Sequence, residues 1–145
     1  MINPESFQRR SFIYRRLQAA GAEFIDVAEA AVANQFLEEG DATNLGIADL
    51  SPLPRIGFKG PKALTWVEGQ NIDVPSLNNM ATPLPDGSLV ARLADTEVLI
   101  LSNIGDEGAT ISRLETMQTS QGCYVVPRAE TYFWFLLTGV HAPDC

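Results

Sequence analysis

The stretch Arg55-Ile56-Gly57-Phe58-Lys59-Gly60-Pro61 decides the fold, because an alternating segment runs through glycine directly into proline. Alternation of apolar with polar or small residues predicts a half-buried β-strand. Proline suits the first turn of a helix, where its missing N–H costs nothing. The same order recurs in residues 136–143, which lead from an apolar strand through Gly139 to Pro143. A strand that passes through glycine to a helix start is therefore the unit of this fold.

The order strand–strand–helix occurs three times along the chain. Residues 45–59 precede a helix at 61–69, residues 88–102 precede a helix at 106–120, and residues 123–138 precede a helix start without a helix. This order predicts an α+β fold, in which repeated strand–strand–helix units form an antiparallel sheet with helices on one face. Residues 98–101 are apolar at every position and should be central or buried on both faces. The third unit is short, which indicates either that the chain is truncated or that another surface covers the exposed apolar face.

The segment before this core is harder to interpret. Residues 5–20 alternate apolar side chains with four arginines and predict a helix that stops at Gly21. Residues 24–27 favour a short strand, whereas the alanine-rich 28–36 is compatible with a helix or a linker. Residues 71–85 predict a long loop. The predicted organisation is an N-terminal helix and extended linker at 1–44 and an α+β core at 45–145, in a single domain overall.

Composition narrows the classes of function. The chain has 145 residues and a formal charge of −8, which argues against binding to nucleic acid or to an anionic membrane surface. No apolar run approaches the roughly 18 residues that a membrane span needs. The N-terminus lacks the pattern of a secretory signal, so a soluble, cytoplasmic protein is expected. Cys123 and Cys145 are too few for a disulfide framework and are expected to be free thiols.

No catalytic or metal-binding motif is present in the sequence. The phosphate-binding glycine loops, the zinc-protease helix motif and the serine-hydrolase turn are all missing. His141 is the only histidine, and it lies in a turn without a neighbouring nucleophile. It is more simply explained as a solvated side chain than as a general base. We therefore predict no catalytic residue and no metal site.

Two sets of side chains suggest contact with other molecules. The aromatic run Tyr132, Phe133, Trp134 and Phe135 is suited to stacking on a ring-shaped cofactor, or to a core or subunit interface. The second interpretation is favoured, and these four residues are predicted to form a partner interface. The arginines of residues 9–16 are typical of a solvated face, although they also suit an acidic partner or a phosphate.

Residues 46–61 resemble the glycine-cleavage aminomethyltransferase (T-protein) family, through the pattern Gly46-Ile47-Ala48-Asp49-Leu50-Ser51 that leads into a strand. The hairpin at 86–101 is more similar to the γ subunit of heterotetrameric sarcosine oxidase, a shortened relative. Pro75 with Asn78, and Phe135-Leu136-Leu137 with Gly139, fit that relative too. The opening at 9–14 is similar to the N-terminal segments of the broader family. The resemblance covers most of residues 9–145.

This resemblance implies a context of folate and flavin chemistry. The full-length transferases bind tetrahydrofolate and use an aspartate in an Asn-Asp-Val stretch. The matching region here is Gln70-Asn71-Ile72-Asp73-Val74, which has one residue inserted between Asn71 and Asp73. The resemblance therefore implies Asp73 as the folate-binding residue. In sarcosine oxidase the flavins, NAD and folate belong to the larger subunits. The resemblance thus implies that this chain alone binds no cofactor, that tetrahydrofolate is possible, and that flavin resides in partner subunits.

Two functions remain open on this basis. The first is a non-catalytic γ-like subunit of a sarcosine oxidase-type complex that demethylates an N-methyl substrate. Its partners would be larger flavoprotein subunits, or further copies of the chain through self-association. The alternative is a tetrahydrofolate-binding, aminomethyltransferase-like protein of one-carbon transfer, with Asp73 at its centre.

Overall fold

The computed structural model describes residues 2–27, 29–37, 40, 42–103, 105, 108–128 and 133–144. Regular elements cover much of this part of the chain, together with short 3-10 turns at Pro4–Ser6 and Ala142–Asp144. In chain order the strands and α-helices are β1 (Arg9–Arg10), α1 (Tyr14–Ala19), β2 (Ala22–Val27), β3 (Ala30–Phe36), β4 (Gly46–Asp49), β5 (Arg55–Lys59), α2 (Ala63–Glu68), β6 (Met80–Pro83), β7 (Leu89–Ala94), β8 (Glu97–Leu101), α3 (Ala109–Glu115), β9 (Tyr124–Pro127) and β10 (Phe135–Thr138). No α-helix among these residues is long and apolar enough to cross a membrane.

The chain forms two compact units. The first combines Met1–Pro52 with Tyr132–Cys145, and the second is Leu53–Thr131. The division predicted at residue 44 stays a prediction about the organisation of the chain.

The second unit is a five-stranded antiparallel sheet in the order β6-β7-β8-β5-β9. Without the edge strand β6, its elements follow the order β-α-β-β-α-β, a recurrent way to place two helices on one side of a sheet. Strand β8 lies between β7 and β5, as its apolar sequence predicts. The predicted α+β class, with an antiparallel sheet and helices on one face, is confirmed.

Side-chain alternation explains which face of this sheet the helices cover. Ile56 and Phe58 lie two residues apart on β5 and both are buried in the core. They pair with Ile100 and Val98 on β8, so the four side chains share one face. Both helices turn apolar side chains towards this core, at i, i+4 or i, i+3 spacing. The helix residues concerned are Ala63 and Val67 of α2 and Ile111 and Leu114 of α3.

The first unit contains two small sheets. One has the order β1-β3-β2, in which β2 and β3 form an antiparallel hairpin and β1 pairs in parallel with β3. Its core is formed by Tyr14, Phe24 and Ala31. The other sheet is a two-stranded antiparallel ribbon of β4 and β10, in which Leu137 lies opposite Ile47 and Leu136 opposite Ala48. We refer to Gly46–Asp49 and Phe135–Thr138 as the β4–β10 ribbon.

The glycines that end β5 and β10 explain the repeated sequence motif. Gly60 has φ +130°, and a Cβ there would lie 2.3 Å from the carbonyl oxygen of Gly122. Gly139 has φ +103°, and a Cβ there would lie 2.5 Å from the carbonyl oxygen of Asn44. Both positions combine a backbone conformation that favours glycine with a close backbone approach. Each strand of the motif therefore ends at a glycine that no other residue can replace without strain.

The structure corrects several details of the sequence-based interpretation. The helix predicted at 5–20 is confined to Tyr14–Ala19, because Arg9–Arg10 pairs with β3 as a strand. The alanine-rich segment is the strand Ala30–Phe36, held by hairpin pairing that its propensity does not show. The predicted loop 71–85 contains the edge strand Met80–Pro83, whose proline is tolerated at a sheet edge. After β10, where the sequence has a helix start without a helix, the structure has a short 3-10 turn at Ala142–Asp144.

The turn before β7 joins that strand to helix α3 through Asp86. Its carboxylate accepts hydrogen bonds from the backbone N–H and hydroxyl of Ser88 and from the hydroxyl of Thr110. Burial opposes ionisation of Asp86, but the hydrogen bonds from Ser88 and Thr110 outweigh it and lower its pKa below the ordinary 3.8. The ionised carboxylate therefore links the turn to the start of α3.

We expect Asp86→Asn to lower the urea midpoint near neutral pH and to have less effect at about pH 3. A lowered pKa in the folded state stabilises the fold above the ordinary pKa, and this contribution is lost as pH falls through the folded value. Urea unfolding of both proteins at the two pH values measures the difference. Thr110→Val, which removes one donor, should reduce the same pH dependence in part. A gap between wild type and Asp86→Asn that widens in acid would contradict this assignment.

Candidate functional site

The loop between α2 and β6 presents Asp73 to solvent. Ile72 and Val74, on either side of it, are buried in the core of the second unit. This alternation turns the Asp73 carboxylate outwards, into a shallow depression of about 370 Å³. The depression is lined by Asp73, Val74, Pro75, Ser76, Leu77, Met80 and Thr82. One carboxylate among exposed apolar side chains is suited to hold an amine or ring N–H of an apolar ligand.

Arg92 holds this loop in place from strand β7. Its Nη1 donates to the carbonyl oxygens of Ser76 at 2.8 Å and Pro75 at 3.3 Å. Its Nε donates to Oδ1 of Asn78 at 2.8 Å, and its Nη2 to Oδ1 of Asp95 at 2.9 Å. A guanidinium is the side chain that supplies this many fixed donors. Arg92 is therefore the residue that positions the loop carrying Asp73.

The hairpin turn completes the same network. Asn78 donates from Nδ2 to Oδ1 of Asp95 at 3.0 Å, so one carboxylate oxygen accepts from both Asn78 and Arg92. The hydrogen bonds from Asn78 and Arg92, together with the positive charge of Arg92, hold the pKa of Asp95 below its usual value. Sequence reasoning did not identify Arg92. The available signal was one cation within an otherwise apolar hairpin strand.

Arg92→Ala is expected to destabilise the second unit by about 2 kcal/mol. Charge-assisted hydrogen bonds contribute roughly 1.5–3 kcal/mol each, but water replaces some of the hydrogen bonds that the guanidinium made. Amide hydrogen exchange in residues 75–78 should accelerate in the same variant. Arg92→Lys should recover only part of the loss, because an ammonium cannot reproduce the planar fork.

The matched control is Arg113→Ala, because Arg113 is exposed and its contact to the Gln70 carbonyl is long, at 3.4 Å. This change should alter stability by less than about 0.5 kcal/mol. Equal urea midpoints for Arg92→Ala and Arg113→Ala would show that Arg92 does not organise the loop.

The sheet face opposite the helices carries a cluster of charged side chains. The Arg128 guanidinium forms an ion pair with Glu97, and Lys59 contacts the other oxygen of Glu97 at 3.0 Å. Arg55 is buried, and its Nε donates to the Arg128 carbonyl oxygen at 2.8 Å. Gly57 leaves room for Arg128, since a Cβ there would lie 3.1 Å from Nε of Arg128. Lys59 and Arg128 flank the Glu97 carboxylate, and together with the hydrogen bond from Arg55 to the Arg128 carbonyl they tie together β5, β8 and the end of β9.

Most of the predicted partner interface lies on or beside the β4–β10 ribbon, and it is exposed. Phe133 is 60% exposed, and the ribbon residues Phe135, Leu136 and Leu137 are 38%, 50% and 45% exposed. Trp134 is half-buried, with its backbone N–H bonded to the Ser51 hydroxyl at 2.9 Å. Tyr132 lies outside the described residues. The exposed aromatic and leucine side chains show that this apolar segment is not core in the described structure.

The exposed surface extends beyond the residues that the sequence suggested. The ring of Phe12 packs on that of Phe133, with centroids 5.1 Å apart, and Phe12 is itself largely exposed. Ile47 of β4 is also exposed. Because side chains alternate along a strand, Leu137 and Ile47 lie on one face of the ribbon and Leu136 on the other. Both faces of the ribbon therefore carry exposed apolar side chains.

The remaining candidate residues have structural explanations. Cys123 is a free, buried thiol, and burial raises its pKa, so it is a poor nucleophile. Cys145 lies outside the described residues. The Nδ1 atom of His141 lies 3.5 Å from Asp144 in an exposed turn. Among the residues that the structure describes, no group of three or more metal-ligating side chains is present.

Comparison with known proteins shows a relationship of fold. Neither the protein-family models nor the curated proteins contain a match to this chain. Among solved structures, the chain is similar to the crystal structure of the glycine cleavage system aminomethyltransferase T from Bartonella henselae, with a TM-score of 0.63 and 18% sequence identity. The likeness covers 93% of this chain and 42% of that protein, so the chain spans less than half of its neighbour's length. The chain therefore has a partial aminomethyltransferase-like fold.

Proposed function

We propose that this chain is a non-catalytic companion subunit, of the sarcosine oxidase γ type, in a complex whose larger subunits carry the flavin and folate chemistry. The observation that carries the proposal is the β4–β10 ribbon, with exposed apolar side chains on both faces. A contiguous exposed apolar patch on a protein more often marks a protein–protein contact than a surface that stays in contact with water. The phenylalanines at 12, 133 and 135 are of the residue class that anchors interfaces.

The partial fold supports the same proposal. The neighbour of similar fold is named as an aminomethyltransferase, whereas this chain spans 42% of its length. The sequence resemblance is to a γ subunit related to the same family, and a subunit of that kind associates with larger subunits. The exposed apolar side chains of the ribbon support such an association at the first unit.

The proposal is tested by co-expressing the tagged chain with the large flavoprotein subunits of a sarcosine oxidase-type complex from the same genome. We expect flavin absorbance to co-elute with the chain through affinity and size-exclusion chromatography. A chain that elutes alone, while the flavoprotein subunits assemble without it, would reject the proposed role.

The second candidate function is tetrahydrofolate binding at Asp73, and the geometry of its loop favours it. Asp73 projects into a depression with exposed apolar side chains, and Arg92 fixes the loop that carries it. A carboxylate held beside an apolar surface is suited to accept a hydrogen bond from a ring or amine N–H of the folate.

Isothermal titration calorimetry of the purified chain with tetrahydrofolate tests this candidate. Asp73→Asn should weaken binding about tenfold or more, which corresponds to about 1.4 kcal/mol. Asp26→Asn, an exposed change in the first unit, should leave the affinity unchanged. Absence of heat for the wild type, or equal affinities for wild type and Asp73→Asn, would exclude folate binding at Asp73.

A further inference from the structure

The outer edge of strand β10 offers backbone groups that no described strand uses. Among the described residues, β10 pairs only with β4. The Leu50 N–H donates to the Trp134 carbonyl at 2.8 Å, so this opposed pair is hydrogen-bonded. In an antiparallel ladder, hydrogen-bonded pairs recur at every second residue. The backbone groups of Leu136 and Thr138 therefore also point towards β4 and form hydrogen-bonded pairs with it. The N–H and C=O groups of Phe135 and Leu137 therefore face away from β4.

This edge lacks the features by which proteins prevent strand pairing. Natural edge strands are protected by charged side chains, proline, bulges or covering segments. Phe135-Leu136-Leu137-Thr138 contains no charge and no proline, and its register with β4 is regular. All four residues are exposed. An extended peptide that pairs with β10 as an added strand can form hydrogen bonds with the free backbone groups of β10 and also cover its exposed apolar side chains.

The charge beside the ribbon indicates the chemistry of that peptide. Residues 9–16 hold four of the ten basic residues and no acid, so six bases and eighteen acids remain elsewhere, a formal charge of −12. The contact of Phe12 with Phe133 places this basic segment beside the start of β10. Arg10 and Arg15 lie against the ring of Tyr14, at 4.9 and 5.5 Å from its centroid.

The arginines at 10, 15 and 16 have no ion pair within the described part of the chain. Unpaired cations at the margin of an apolar strand attract carboxylates, and such charges set partner choice and association rate. The net negative charge of the chain disfavours a nucleic acid as the occupant.

We infer that the free edge of β10 receives an extended segment of the partner protein as a third strand, and that this segment carries carboxylates where it passes the arginines at 10, 15 and 16. This inference rests on the proposed companion-subunit role, whose partner surface it specifies. The added strand would bond to the backbone of Phe135 and Leu137, and its apolar side chains would cover the ribbon.

A proline substitution separates backbone pairing from side-chain contact. Leu137→Pro removes an outward N–H without breaking the ladder to β4, because proline is tolerated where the N–H faces away from the sheet. Leu137→Ser removes the apolar side chain but keeps the N–H. In co-purification with the large flavoprotein subunits, Leu137→Pro should reduce retention at least tenfold more than Leu137→Ser.

A second measurement keeps the inference testable if Leu137→Pro does not fold. The wild-type chain is titrated with the synthetic peptide Glu-Glu-Val-Thr-Val-Thr-Val-Glu-Glu, and amide exchange is followed by NMR. The amides of Phe135 and Leu137 should become at least fivefold slower to exchange. The peptide with lysine in place of each glutamate should give no protection, and Arg15→Glu with Arg16→Glu should abolish the preference for the acidic peptide.

The outcomes distinguish this inference from the proposed function. Flavoprotein subunits that bind Leu137→Pro and Leu137→Ser equally well, with no peptide protection of the two amides, would overturn the third-strand inference and leave the companion role intact. Protection of the same amides by raising the concentration of the chain alone would also overturn it, since the occupant would then be a second copy. Failure of the wild type to retain the flavoprotein subunits would reject the companion role itself.

Discussion

Gly60→Ala should destabilise the second unit by at least about 3 kcal/mol. The positive φ of +130° is a conformation that alanine avoids, and such backbone strain costs on the order of 1–3 kcal/mol. The added Cβ would also lie 2.3 Å from the Gly122 carbonyl oxygen, a backbone atom that cannot rotate away. Relief of this contact requires β5 or the segment before β9 to shift. Urea unfolding followed by circular dichroism measures the loss.

Gly40→Ala is the matched control for this substitution. Gly40 has no atom within 4 Å of the position of an added Cβ, and its φ does not lie in the region that favours glycine. This change should be neutral or slightly stabilising, because alanine restricts the unfolded chain more than glycine does. Equal urea midpoints for the two variants would show that the turn at Gly60 does not constrain the fold.

Phe58→Ala should cost about 3–5 kcal/mol, the range for removal of a buried aromatic side chain. Phe58 is fully buried on β5 and its ring packs on Trp66, with centroids 4.8 Å apart. Its removal would leave a cavity where the sheet meets helix α2. The urea midpoint and the enthalpy of thermal unfolding should both decrease.

Phe12→Ala provides the contrasting case, because Phe12 is exposed and packs on Phe133 of the first unit. We expect its free energy of unfolding to change by less than about 1 kcal/mol, whereas its association with partner subunits should weaken. If Phe12→Ala destabilises the chain as much as Phe58→Ala, the Phe12 ring belongs to a core and not to an interface.

The elements that were predictable from sequence are those whose burial follows a local pattern. Strand β5 alternates along Arg55–Lys59, and β7 and β8 form the predicted hairpin. Gly60 and Gly139 mark strand ends because their backbone conformation requires glycine. Local periodicity and turn chemistry are sufficient in these places.

The elements that were missed depend on strand pairing and side-chain contacts that the local sequence pattern does not show. Ala30–Phe36 is a strand because it pairs with β2 and β1, although its alanines have no strand preference. The positioning role of Arg92 depends on loop carbonyls 16 and 17 residues away. An exposed apolar face was expected in the last unit, but its position on both faces of β10 depends on the pairing with β4.

The candidate sites differ in how far the sequence reveals them. Asp73 is placed by the resemblance, and the structure adds the depression and the loop anchored by Arg92. Its role in folate binding stays a prediction. The aromatic run was identified from sequence, but its extension to Phe12, Ile47 and Leu137 depends on strand pairing and ring contacts.

The most direct test asks whether the β4–β10 ribbon is the surface that binds the flavoprotein subunits. The double variant Phe135→Ser with Leu137→Ser is compared with Leu93→Ser with Val125→Ser, whose side chains are similarly exposed, at 38% and 42%, but lie in the second unit. Each tagged chain is co-expressed with the large subunits, and the flavin retained per chain is measured. We predict that the ribbon variant retains less than a tenth of the wild-type flavin while the control retains all of it; equal retention by the two variants would contradict the proposed interface.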